Sequence, residues 1–167
     1  MNQMKRIRFY FLLFIVNHFL CGTHFFSIKR KLLSLSGYYS IGNNTKIVGP
    51  IHSFGNVSIG NNVWIGRNLS IEGNGKVEID DNCDLAPNIE IYTGTHLIGD
   101  SNRRAGKGII ESVKIGRGVW VCGGVKILPG VTIGNGAVIG AGSIVNRDIP
   151  DNVLAVGSPI KVKKELE

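Results

Sequence analysis

Aliphatic residues recur at every sixth position through the second half of the chain. Between Lys114 and Pro150 they fall at Ile115, Val121, Ile127, Ile133, Ile139 and Val145. Gly follows directly at Gly116, Gly134 and Gly140, and a small or β-branched residue comes four places on, at Val119, Val125, Val131, Ala137 and Ser143. Neither a helix nor a simple strand has this period, so it marks an internal repeat. In a strand, residues two apart share a face. Each aliphatic and the small residue two before it therefore point inward, and the residue between them points outward. The Gly after the aliphatic frees the chain where it must turn. Six-residue edges joined by turns make a three-edged coil, and stacked coils bury ladders of aliphatic side chains. The pattern predicts an all-β solenoid with parallel strand pairing.

The same phase runs back toward the N-terminus. Ile41 and Ile47 carry it, Pro50 to Asn56 blur it, and Ile59, Ile65 and Ile71 restore it. After Gly73-Asn74-Gly75 it resumes at Ile79, Leu85, Ile91 and Leu97. The coil is expected over 41–150, interrupted at 98–112 by the polar stretch IGDSNRRAGKGIIES. A long excursion from a regular scaffold commonly carries function. A basic tail over 151–167 follows. Trp64 and Trp120 each stand just before an inward aliphatic, so both should point outward, onto a subunit interface or a ligand groove.

Residues 1–40 read as a helical, apolar and basic segment. Phe9 to Leu20 is twelve residues long and is broken by Asn17 and His18. A spanning helix needs about twenty apolar residues, so the run predicts a short helix that either packs on the coil or lies in a membrane interface. Basic residues precede it as in a signal peptide, but no small-residue cleavage site follows. A second helix is expected after Ser27 as its cap, with Ile28, Leu32 and Leu35 on one face and Gly37 stopping it. His18 and His24, among aromatics, read as core or interface histidines.

Composition changes the picture in three ways. A length of 167 residues fits one domain, and the hexad turns account for 23 Gly. Cys21, Cys83 and Cys122 form no CxxC pair, which points to reduced thiols in a reducing compartment. The net charge of +7 is N-terminal, because eight basic residues precede the first acidic one, Glu72. That pattern suits an anionic membrane surface, or simply a solvated helix end. No nucleic-acid-binding motif accompanies it.

Chemistry centres on His96, at the opening of the excursion. A neutral imidazole near pH 7 can take a proton from an attacking hydroxyl. Glu111 or Asp100 could orient it, and a purely structural His fits the same position. There is no Gly-x-Ser-x-Gly, Cys/His pairing or P-loop Lys. A zinc lyase on such a coil needs three His ligands, and the coil holds only His52 and His96.

From Asn68 onward, three segments resemble the left-handed β-helix hexapeptide acetyltransferases, notably the galactoside and maltose O-acetyltransferases and relatives that acetylate polysaccharides. They are DLAPNIEIYTGTH, IGRGVWVCGGVKILPGVTIGNGAVIGAGSIVNRDIP and VGSPIKVKK. The resemblance implies a left-handed coil, acetyl-CoA as donor with no metal, a saccharide hydroxyl as acceptor, and a homotrimer with sites between subunits. By position, His96 matches the catalytic base. Gly123, Ala141, Asn146 and Arg147 match residues lining the CoA groove, Lys161 and Lys164 match cations that meet its phosphates, and Trp120 matches a Trp near that groove. The galactoside enzymes carry an Asn thirty residues before the catalytic His. Here that position is Gly66, with Asn68 two away.

The expected function is therefore O-acetylation of a cell-surface polysaccharide or its precursor, without a covalent enzyme intermediate. The expected place is the cytoplasm, at or near the inner face of the membrane. A serine- or amine-acetylating transferase, or a catalytically silent hexapeptide scaffold, would share the repeat.

Overall fold

The computed structural model describes residues 3–167. Two helices, α1 (Gln3–Phe19) and α2 (Phe26–Leu35), precede the coil. The first coil holds β1 (Tyr39–Ile41), β2 (Lys46–Ile47) and β3 (Ile51–Ser53), and the second β4 (Val57–Ile59), β5 (Trp64–Ile65) and β6 (Leu69–Glu72). The third holds β7 (Val77–Ile79), β8 (Asp84–Leu85) and β9 (Glu90–Tyr92). A hairpin, β10 (Gly94–Ile98) and β11 (Ala105–Ile110), then leaves the coil. The fourth coil has β12 (Val113–Ile115), β13 (Trp120–Val121) and β14 (Lys126–Ile127), and the fifth β15 (Thr132–Ile133), β16 (Val138–Ile139) and β17 (Ile144–Val145). The last strands are β18 (Val153–Val156) and β19 (Lys161–Glu165).

Three parallel sheets result, one per edge of the prism. The first orders β1-β4-β7-β12-β15, the second runs from β2 through β5, β8, β13 and β16 to β18, and the third orders β3-β6-β9-β14-β17. Inward residues stack in register, as Ile47 on Ile65, Leu85, Val121, Ile139 and Ala155. All six of these are buried. Burying one such Ile or Leu side chain contributes about 1.5–3 kcal/mol, and repetition through the coils supplies the core. Val119, Val125, Val131, Ala137 and Ser143 are buried too, so the predicted inward pairs hold. Outward pairs such as Lys126 Nζ to Glu90 at 2.6 Å are surface contacts and add little.

The glycines after the aliphatics do a different job from the one expected. Gly60 and Gly66 do not take positive φ. A Cβ on Gly60 would stand 2.7 Å from the backbone N of Asp81, and one on Gly66 2.7 Å from the carbonyl carbon of Ala86. These glycines let one coil approach the next. Left-handed turn positions fall instead two residues further on, at Gly118 and Gly136 in the later coils and at Asn44, Asn62 and Asn82 in the earlier ones, where the carboxamides form a ladder at 3.0 and 3.2 Å.

Several boundaries move. Leu97 is 52% exposed and lies on β10, so it does not continue the inward phase. The chain departs from the coil at Gly94, before the expected position 98. The parallel sheet also continues past Pro150, because β18 pairs with β16. The tail returns antiparallel as β19 along β18.

The N-terminal helices close the first coil. Phe9, Leu13 and Val16 of α1 join the core. In α2 the buried positions are Lys29 and Leu33, while Ile28 and Leu35 are exposed. The N-cap is Phe25 rather than Ser27, and Gly37 takes the positive φ that ends the helix. Lys29 Nζ donates to the carbonyls of Gly22 at 2.7 Å and Val48 at 3.3 Å and sits over the Phe26 ring. These two carbonyls satisfy a buried ammonium that would otherwise be costly, and burial lowers its pKa. His18 is exposed, stacked on Phe14.

Candidate active site

The hairpin leaves at the corner between the third and first sheets. Its strands pair antiparallel, with His96 opposite Gly108. Gly108 has no side chain to cover the imidazole; a Cβ there would stand 3.9 Å from its Cδ2 and Nε2. His96 is exposed, and no hydrogen bond or ion pair engages its ring among the described residues. Asp100 Oδ1 is committed to its own turn, accepting from the N–H of Asn102 at 2.9 Å and Arg103 at 3.2 Å. Glu111 points along the corner toward Gly130, where a Cβ would meet its Oε2 at 2.9 Å. Within one chain, neither carboxylate orients His96.

Asn146 and Arg147 follow β17 on this same corner, two coils further along. Strands stack about 4.8 Å apart, so the two levels differ by about 10 Å. Both residues are exposed.

A second group lies on the second sheet and its corner with the third. Trp64, Asp84 and Trp120 occupy one register row, Trp64 opposite Asp84 and Asp84 opposite Trp120. They line a groove of about 320 Å³ with Leu85, Ala86 and Pro87. Trp120 is 54% exposed, whereas Trp64 is half-buried by Phe26 at 6.1 Å between ring centroids. The Asp84 carboxylate has no hydrogen-bond or ion-pair partner among the described residues. Sequence reasoning passed over it, although it holds the hexad position of the two tryptophans, just before an inward aliphatic.

Gly123 and Ala141 stack at the next corner, joined by the Gly142 N–H donating to the Gly123 carbonyl at 2.9 Å. Lys161 and Lys164 lie on β19 at the end of the second sheet, opposite Val156 and Leu154. Neither Lys, nor Arg147, has a carboxylate partner among the described residues, which leaves all three cations for an anionic ligand. A CoA pantetheine and its phosphates would fit Gly123, Ala141, Lys161 and Lys164, which lie on the second sheet and its corner with the third. His52 lies apart, on the third sheet in register with Ser70.

The expected site residues therefore fall into two groups on different edges of the prism. His96, Asn146 and Arg147 share one corner. Trp120, Gly123, Ala141, Lys161 and Lys164 share the second sheet and its far corner.

Comparison with known proteins agrees with this architecture. Residues 112–147 match the family Bacterial transferase hexapeptide (six repeats). A Saccharomyces cerevisiae relative is 48% identical over 111 residues, 66% of this chain but only 57% of that protein's length. The galactoside O-acetyltransferase of Escherichia coli (strain K12) is 38% identical over 165 residues, covering 97% of this chain and 79% of that one. A solved structure of a galactoside acetyltransferase in complex with coenzyme A superposes with a TM-score of 0.84 at 32% identity, covering 98% of this chain and 82% of that one. With its three parallel sheets, its hexad core and this likeness across nearly its whole length, the chain is a left-handed β-helix and belongs to the hexapeptide-repeat acetyltransferase family.

Proposed function

We propose that this protein is an acetyl-CoA-dependent O-acetyltransferase acting on a sugar hydroxyl of a cell-surface polysaccharide or its precursor. We place its active site between the subunits of a homotrimer. The observation that carries the reading is the division of the site residues between two edges of one chain. A three-fold ring closes heterologous contacts. It sets the His96 corner of one subunit against the Trp120–Gly123 face of the next.

Acetyl-CoA, when bound, supplies an acetyl group activated as a thioester. His96 removes the proton from the acceptor hydroxyl as that oxygen forms its bond to the acetyl carbon. The resulting imidazolium returns the proton to the departing sulfur, so the chain ends the turnover unchanged. Gly123 and Ala141 keep their corner open. Arg147, Lys161 and Lys164 hold the phosphates by charge-assisted hydrogen bonds. A backbone N–H steadies the negative oxygen of the transition state. Trp64 and Asp84, beside Trp120, offer the acceptor an aromatic wall and a hydrogen-bond acceptor, as saccharide sites do.

The test is acetyl-CoA turnover against a panel of sugars and surface glycans, with wild type and His96→Ala. The proposal expects acceptor-dependent thiol release that falls about 10²–10⁴-fold in the variant. Equal turnover by both proteins contradicts His96 as the base. Failure to bind CoA contradicts the transferase reading.

A further inference from the structure

Helix α1 is apolar on two opposite faces. Phe9, Leu13 and Val16 pack on the coil. Ile7, Phe11 and Phe14 repeat the same four-then-three spacing, two residues out of step. Two residues turn a helix by about 200°, so this second stripe points away from the coil. Ile7 is 63% exposed, Phe11 62% and Phe14 51%, and Phe19 at the end of the helix is 71% exposed. A helix with apolar residues on two opposite faces ordinarily buries both. Here the coil covers one side only.

The charge at the N-terminal end of the helix says what covers the other. Lys5, Arg6 and Arg8 lie on α1 and are exposed, and Lys31 is exposed on α2. No acidic residue occurs before Glu72. Arg8 reaches the Ser36 carbonyl at 3.4 Å, and Arg6 lies over the Tyr10 ring at 5.7 Å, so neither is neutralised by a carboxylate. A second copy docked face to face would bring these cations together and be repelled. An anionic lipid surface takes both features, the aromatics among its acyl chains and the cations among its headgroups. No helix among the described residues is long and apolar enough to cross a membrane.

We propose that the outer face of α1 seats the protein on an anionic membrane, parallel to the surface. The inference deepens the proposed function. Its acceptor is then a saccharide held at that surface, as a lipid-linked precursor is, and the solenoid stands over it.

Vesicle flotation tests this, using phosphatidylcholine alone and phosphatidylcholine with roughly one part in three phosphatidylglycerol. The wild type is expected to float with the anionic vesicles, and salt should weaken the binding. The double substitution Phe11→Asp, Phe14→Asp should reduce binding at least about tenfold. So should Lys5→Glu, Arg6→Glu. Both variants should keep the wild-type thermal transition and oligomeric mass, since all four side chains are exposed. No flotation of the wild type overturns the proposal, as does equal flotation of the double variant. A change of oligomeric mass in the variants without vesicle binding by the wild type assigns the face to another copy and overturns it as well. Flotation is read without acetyl-CoA, so its failure is separate from any failure of the transferase assay.

Discussion

Asn17 of α1 closes the open edge of the solenoid by pairing with Ile51. Its Nδ2 donates to the Ile51 carbonyl at 2.8 Å, and its Oδ1 accepts the Ile51 N–H at 3.0 Å. One carboxamide thus does for β3 what a further strand would do, and blocks addition of a foreign strand. Asn17→Ala leaves both backbone groups under the helix without partners. It should cost about 1–3 kcal/mol, read as a lowered urea midpoint with an unchanged slope. An unchanged midpoint would mean that water replaces the carboxamide freely.

In the proposed site, Trp64 and Asp84 serve the acceptor rather than the donor. Asp84→Ala should raise KM for the saccharide about tenfold and leave CoA affinity at the wild-type level. Trp64→Ala should act in the same direction. Isothermal titration with CoA and steady-state kinetics with the acceptor distinguish the two effects. A loss of CoA affinity in Asp84→Ala would assign the groove to the donor instead.

Cys83 gives stability a pH dependence. Burial against the coil interior raises its thiol pKa to about 11. Unfolding returns it toward the ordinary thiol value of about 8.5. Between these values the unfolded chain has lost the proton and the folded chain keeps it. The thiol's share of stability is therefore complete below about pH 8.5 and is lost as the pH climbs through about 11. Tyr39, raised by burial, acts with the same sign, and Lys29, lowered by burial, acts with the opposite one. Cys83→Ala should lose less stability than wild type between about pH 8.5 and 10.5. Urea unfolding at both pH values measures this, and equal losses would show that Cys83 does not carry the slope.

Much of the fold is legible in the hexads because inward positions recur on each edge. Ile115, Val121, Ile127, Ile133, Ile139 and Val145 are all buried. The period cannot tell an aliphatic that continues the coil from one that leaves it. Leu97 keeps the phase and is exposed, since the hairpin has already begun at Gly94. Nor does it reveal that Lys29 can be buried by two backbone carbonyls, because their approach comes from tertiary packing. At the candidate site, His96 stands out by its place before the excursion. Asp84 carries a weaker signal, its equivalence to Trp64 and Trp120 in the repeat. The division of the site between two edges is written in no local motif. It follows from which corner each coil turns.

The central claim is that the active site is shared between chains around His96. Complementation tests it most directly, using His96→Ala and Gly123→Trp as two parents that each lack activity. A Cβ at position 123 meets only the Pro87 carbonyl oxygen, at 3.4 Å, so a side chain can leave the backbone there, and the indole is expected to fill the groove. Co-expressed, the two variants should form mixed trimers with acetyl-transfer activity that neither parent shows, because one intact site combines the His96 of one chain with the Gly123 corner of its neighbour. Mixed trimers that form and remain inactive, or a wild-type monomer with full activity, would contradict the account.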